Sequence, residues 1–180
     1  VRRVIQCAAA IVLAAACALG ANAPGVWLDV PFVAQPKDGC GAASIAMVMQ
    51  YWERNGHAAT ARGDDVNEIQ RKLYSPKAKG IFASDMEKYF QKRGYQTFAI
   101  RGEWQDLQEN LVKGRPLIAA LRPATASDTL HYVVVAGMDW RNGYVFVNDP
   151  ARRKLFRMTK AEFEKEWDSA GNWTLLPVPR

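Results

Sequence analysis

Histidine and cysteine are scarce in this chain. Among 180 residues there are two of the first and three of the second, and neither set has the close spacing that a metal site needs. A disulfide scaffold is excluded as well. Cys7 and Cys17 fall in a leading apolar segment, which leaves Cys40 alone in the remainder. There is no glycine-rich loop of the kind that cradles phosphates, no internal repeat and no low-complexity linker. Charge is modest: net +6, or +4 once Arg2 and Arg3 are set aside. The positive residues come in short scattered runs (Arg71-Lys72, Lys77 to Lys79, Arg152 to Lys154), the pattern of solvated faces rather than of a nucleic-acid track. With 49% hydrophobic and 23% charged residues, the composition is that of an ordinary globular chain, long enough for one full core.

What is present begins with a segment that reads as an address. VRR is a short cationic start, and VIQCAAAIVLAAACALG follows without a charge. This matches a secretory signal, and the run is shorter than the ~20 apolar residues that span a bilayer. Residues 1–23 are therefore expected to be a signal peptide, cut after Ala21-Asn22-Ala23 or, alternatively, after Gly20. A third reading takes LAAAC, residues 13 to 17, as a lipobox with Cys17 as a lipid anchor. Residues 24–180 are expected to form one domain without a membrane span. A lone cysteine in an exported domain is either a reactive thiol or a buried inert one.

Along that domain, Val26 to Val33 reads as an extended lead-in, bent at Pro31. From Gly41 to Arg54 apolar residues surround a helix on nearly all sides, which belongs in the middle of a domain. Asn55-Gly56 ends it. Asp64 to Tyr74 reads as a second helix, and the capping box of Ser84 and Glu87 as the start of a third that stops at Gly94. Tyr95 to Ile100 is strand-like, Glu103 to Lys113 helical, and Pro116 to Leu121 a strand. His131 to Met138 and Gly143 to Asn148, with Arg141-Asn142-Gly143 between them, give the clearest hairpin signal. Leu155 to Met158 adds a strand, the box of Thr159 and Glu162 opens a helix through Trp167, and Trp173 to Val178 is a last strand. Helices gather in the first half and antiparallel strands in the second, an α+β layout.

A thiol is nucleophilic only as thiolate, and the free N–H groups at a helix N-terminus favour an anion. Cys40 sits at such a place between Gly39 and Gly41, two residues without side chains to crowd a substrate carbonyl. Taken alone, Cys40 fits a reactive thiol and a small buried residue equally well. A nucleophilic cysteine also needs a base and a group to orient it. His57 follows Asn55-Gly56 in a polar loop and reads as surface. His131 opens the most apolar strand, and Asp149 leaves the far end of the hairpin. If Met138 pairs with Tyr144, Asp149 lies opposite Val133, on the face of His131 and one diagonal step away, ~7–8 Å between backbones. A tighter turn that pairs Trp140 with Tyr144 leaves the two further apart. Gln35, five positions before Cys40, can present its amide beside the Cys40 N–H as an oxyanion donor.

Gln35, then Cys40-Gly41 opening an apolar helix, then His131-Tyr132-Val133-Val134-Val135, then Asn148-Asp149-Pro150, resembles the papain-like cysteine peptidases. More narrowly, the set is similar to the bacterial peptidase domains that process double-glycine leader peptides of bacteriocins, and to their stand-alone relatives. The resemblance spans roughly Val30 to Trp167. The leader-processing members usually carry Asp directly before the cysteine and their glutamine one residue further upstream. Gly39 in that place is closer to the stand-alone relatives.

The resemblance implies a papain-like fold with the central apolar helix packed on the antiparallel sheet. It also implies Cys40 as nucleophile, His131 as base, Asp149 as orienting carboxylate and Gln35 in the oxyanion hole, with Gly41 and Asn148 in support. No cofactor and no metal are expected. The substrate is expected to be a peptide or protein, hydrolysed in the bacterial envelope (periplasm, lipid-anchored or secreted). Two alternatives stand beside this reading: an acyltransferase or transglutaminase-like enzyme on the same triad, and an inert peptide-binding or secretion-accessory domain.

Overall fold

The computed structural model describes residues 24–57, 65–123 and 129–180. The signal, lipobox and Cys17 readings, the expected helix start at Asp64, and residues 124–128 lie outside the described residues.

The first helix, α1 (Cys40–Arg54), buries Gly41 to Met49, Tyr51 and Trp52. It packs against strand β4 (His131–Asp139) and is flanked by the helices α2 (Val66–Leu73) and α3 (Ala83–Lys92). A helix apolar all round can be stable only when covered on every side, and each large side chain so covered contributes about 1.5–3 kcal/mol. Its far end is anchored by two long-range bonds. Tyr51 donates its hydroxyl to the Gly114 carbonyl at 2.8 Å, and the Trp52 indole donates to the Pro177 carbonyl at 3.1 Å.

The helix starts differ in how well the sequence announces them. α5 (Lys160–Asp168) opens on the expected box, with Thr159 Oγ1 accepting from Glu162 N–H and Glu162 Oε2 accepting from Thr159 N–H. α3 does not open on Ser84. Its cap lies two residues earlier, at Phe82, whose carbonyl accepts from Asp85 and Met86 N–H. Ser84 is already inside the first turn, so its side chain cannot act as the cap.

Seven antiparallel strands make one sheet in the order β2-β7-β3-β4-β5-β6, with β1 also paired to β4. They are β1 (Gly25–Trp27), β2 (Tyr95–Arg101), β3 (Leu117–Leu121), β4, β5 (Tyr144–Asp149), β6 (Arg153–Thr159) and β7 (Trp173–Pro179). β3 takes residues 131–135 of β4, and β1 takes residues 137–139. α4 (Trp104–Val112) joins β2 to β3. The expected α+β division holds, with the refinement that two strands of the first half, β1 and β2, complete the sheet. No helix among the described residues is long and apolar enough to cross a membrane.

One irregularity decides where the site lies. At the turn, Asp139 pairs with Tyr144, Met138 with Val145 and Gly137 with Phe146. That register is neither of the two alternatives weighed above. Carried onward, it would set Asp149 opposite Val134, on the face away from His131. A β-bulge at Ala136 inserts one unpaired residue, after which Val135 pairs with Val147 and Val134 with Asn148. The shift brings Asp149, the next residue of β5, to the face that carries His131, because a one-residue shift exchanges the two faces. The carbonyl of Ala136 is not left bare: it accepts from Leu28 N–H at 2.8 Å, which fixes the lead-in on its way to Gln35.

Candidate active site

The N-terminus of α1 offers its free N–H groups to whatever lies in front of it. Its cap residue is Gly39, which makes no side-chain cap bond, and the first turn holds no acidic residue. The partial positive charge there is therefore not spent on a protein carboxylate. Cys40 is the first helical residue, half-buried and free. The chain reaches it through a tight reversal in which Asp38 takes a positive φ of 55° and Gly39 N–H donates to the Pro36 carbonyl at 2.9 Å.

The two glycines have a reason other than the expected one. A Cβ on Gly39 would lie 2.6 Å from Pro36 Cγ, and one on Gly41 would lie 3.1 Å from Ile81 Cβ. They make room for the protein's own turn and wall.

His131 opens β4 and Asp149 ends β5. His131 Nε2 lies 2.8 Å from Asp149 Oδ1. Cys40 lines the same cleft as the ring and interacts with it electrostatically, and with Nε2 engaged the nitrogen left free is Nδ1. Burial pulls the imidazole down. The hydrogen bond to Asp149 and the attraction of Cys40 and Asp149 outweigh it and lift the group to about 9. Burial works the other way on Asp149, yet its bond to His131, the His131 charge, the Ala151 N–H and the Arg152 charge hold the carboxyl below its usual range.

The carboxylate is fully engaged. Oδ1 also accepts from Ala151 N–H at 3.0 Å, and Oδ2 lies 3.3 Å from Arg152 Nε. Arg152, read above as part of a solvated run, belongs to the site. No sequence signal set it apart beyond its place in the turn that Asp149 starts.

Gln35 and Asn148 tie the two halves of the site together. Gln35 N–H donates to the Pro150 carbonyl at 3.0 Å, and its side chain lines the cleft with Oε1 buried and unpartnered. Asn148 is fully buried. Its Nδ2 donates to the Val30 and Pro31 carbonyls at 3.1 and 3.3 Å, and its Oδ1 accepts from Leu155 N–H at 2.9 Å. That last bond satisfies a backbone amide at a second irregularity, where the β5–β6 register shifts and Leu155 takes a positive φ of 49°.

Cys40, His131, Asp149 and Gln35 all line one cleft of about 690 Å³. One wall is the 77–83 segment lying against α1. The other is formed by β3, β6 and α5, including Phe156, Met158 and Glu166. These wall residues carry no recognisable pattern in the sequence. His57 is elsewhere, exposed and edge-on to Trp52 at 5.3 Å between ring centres.

A thiol at a helix N-terminus, an imidazole bonded to a carboxylate and a primary amide, all in one cleft, are the components of acyl transfer through sulfur. Known proteins share the frame. A C39-like peptidase from Bacillus anthracis superposes with a TM-score of 0.68 at 19% identity, over 87% of this chain and 98% of that one. The peptidase domain of Streptococcus ComA, a bifunctional ABC transporter involved in quorum sensing, gives 0.63 at 22% identity, over 82% and 97%. That of Streptococcus mutans ComA gives 0.53 at 19% identity, over 82% and 98%. Among curated proteins none matches this chain. Residues 27–175 match the Peptidase_C39 like family, and the chain belongs to it: it is a cysteine-type peptidase with a papain-like fold.

Proposed function

We propose that the protein is an exported peptidase that hydrolyses peptide bonds through an acyl-enzyme on Cys40. The observation that carries this reading is the His131–Asp149 hydrogen bond in the same cleft as Cys40 at the N-terminus of α1. His131 takes the thiol proton and is held as imidazolium by Asp149. The thiolate attacks the substrate carbonyl, and the oxyanion is received by the Cys40 N–H and the Gln35 amide. As the C–N bond breaks, His131 returns its proton to the leaving amine. Water then attacks the thioester with His131 as base, the acid is released, and the thiol is restored. Export rests on the pattern of residues 1–23, and N-terminal sequencing of the protein made in bacterial cells tests it: an intact start in every recovered chain would overturn export.

The reaction is tested by profiling cleavage of a diverse peptide library with the wild type and with Cys40→Ala. Cleavage at defined bonds by the wild type alone is expected, and His131→Ala should lower kcat/KM about 10²–10⁴-fold. A Cys40→Ala protein that cleaves the same bonds would end the proposal.

A further inference from the structure

The turn after Asp149 places one more side chain on the catalytic carboxylate. Pro150 and Ala151 reverse the chain, Ala151 N–H closes back on Asp149 Oδ1, and Arg152 N–H donates to the Asp149 carbonyl at 2.9 Å. Arg152 therefore leaves the turn on the side of the carboxylate that His131 does not occupy. Its Nε sits 3.3 Å from Oδ2. Its guanidinium lies over the Phe156 ring, 4.5 Å from the ring centre, a position that fixes a flexible side chain by cation–π attraction. The group is held from two sides although half its side chain remains exposed.

We propose that Arg152 is a positioning residue for peptide hydrolysis: fixed between Phe156 and Asp149, its cation steadies the carboxylate and loosens the imidazole's hold on its proton. This rests on the proposed roles of Cys40, His131 and Asp149. An imidazolium held too tightly is a poor acid for the leaving amine, and a fixed cation beyond the carboxylate offsets part of that hold.

The other charges facing this group are few. Glu166 of α5 lines the same cleft and interacts with Arg152, His131 and Asp149. From β4 come His131 and the buried Tyr132 hydroxyl, and from α1 comes Cys40. Arg153 of β6 lies 5.7 Å from the centre of the same Phe156 ring. Asp38, Lys77 and Lys79 line the same cleft on its α1 side. Apart from His131, Arg152 is distinguished from these by direct contact with an Asp149 oxygen.

The test needs no substrate. The second-order rate of Cys40 alkylation by iodoacetamide is measured by mass spectrometry between pH 4 and 10. In the wild type the rate should first rise to a plateau as the thiolate–imidazolium pair forms, then rise again when His131 loses its proton. Arg152→Met, which keeps the apolar stem but not the charge, should move the second rise upward by ~0.5–1 pH unit, a size suited to a half-exposed charge. Arg152→Lys should restore most of the wild-type position. If Arg152→Met melts early, Arg152→Gln carries the same comparison.

A two-step wild-type profile left unmoved by the neutral variants overturns the role of Arg152 alone. So does an equal shift in Arg152→Lys, which would mark a merely structural part. A wild-type profile with a single step at the ordinary thiol position overturns the peptidase roles themselves, and the Arg152 proposal with them.

Discussion

A methyl group on Gly39 would have nowhere to go. It would meet Pro36 Cγ and Cδ at 2.6 and 2.7 Å, and the Pro36 carbonyl at 2.9 Å. The proline ring cannot rotate aside as a flexible chain end would, so the reversal that carries Gln35 past Cys40 must open. Gly39→Ala should cost about 1–3 kcal/mol in urea unfolding, with a fall in kcat larger than a stability loss alone would give, because Gln35 and Cys40 move apart. A variant as stable and as active as the wild type would show that the turn is slack.

At this scale the site was largely legible. With only two histidines and one cysteine outside the leading segment, the search for a base had few outcomes, and the hairpin left one carboxylate within reach of His131. What could not be read was the reason for Gly39 and Gly41, since Pro36 and Ile81 become their neighbours only in three dimensions. The same holds for Arg152, whose charge resembles that of any solvated arginine until Phe156 is seen beneath it.

Between residues and the whole lies the geometry of the hairpin. β4 and β5 were visible from their β-branched and aromatic residues, and their register was left open between two turns. The chain uses a third pairing and then corrects it at Ala136. Alanine is an ordinary strand residue there, so nothing in its identity announces a bulge. The β5–β6 irregularity is held by Asn148, which satisfies three backbone groups at once. Asn148→Ala leaves Leu155 N–H and the Val30 and Pro31 carbonyls without this partner, and should lower stability by about 2–4 kcal/mol. Amide hydrogen exchange at Leu155 should speed up well before global unfolding, and an unchanged exchange rate there would contradict the assignment. The Ser84 box shows the opposite error: a valid local signal is overridden by Phe82, two residues earlier, where the extended conformation sets the cap.

For the molecule as a whole, strand order was the least legible property. Periodicity names strands but not neighbours, and nothing in the residues of β7 announces its place between β2 and β3. A global consequence of the site can nevertheless be measured. His131 binds its proton more tightly when folded, with a pKa of about 9 against 6.5. Its contribution is therefore complete below pH 6.5 and is lost as the pH rises through 9. Asp149 is lowered on folding, so its contribution is complete above the normal carboxylate range and is lost as acid drives the pH through the lowered value. Unfolding free energy should accordingly fall between pH 6.5 and 9, by up to roughly 3 kcal/mol from this group. His131→Ala should be less stable at pH 6 and show a flatter alkaline slope. An alkaline slope as steep as the wild type's would assign the loss to other groups.

The bond between Gln35 and Pro150 joins residues from opposite ends of the chain, and Cys40 waits on an imidazole made ninety-one positions later. During synthesis the sulfur emerges long before the strands that arm it. On the proposed mechanism, a chain still being made carries a dormant thiol until the β4–β5 hairpin docks against the first helix.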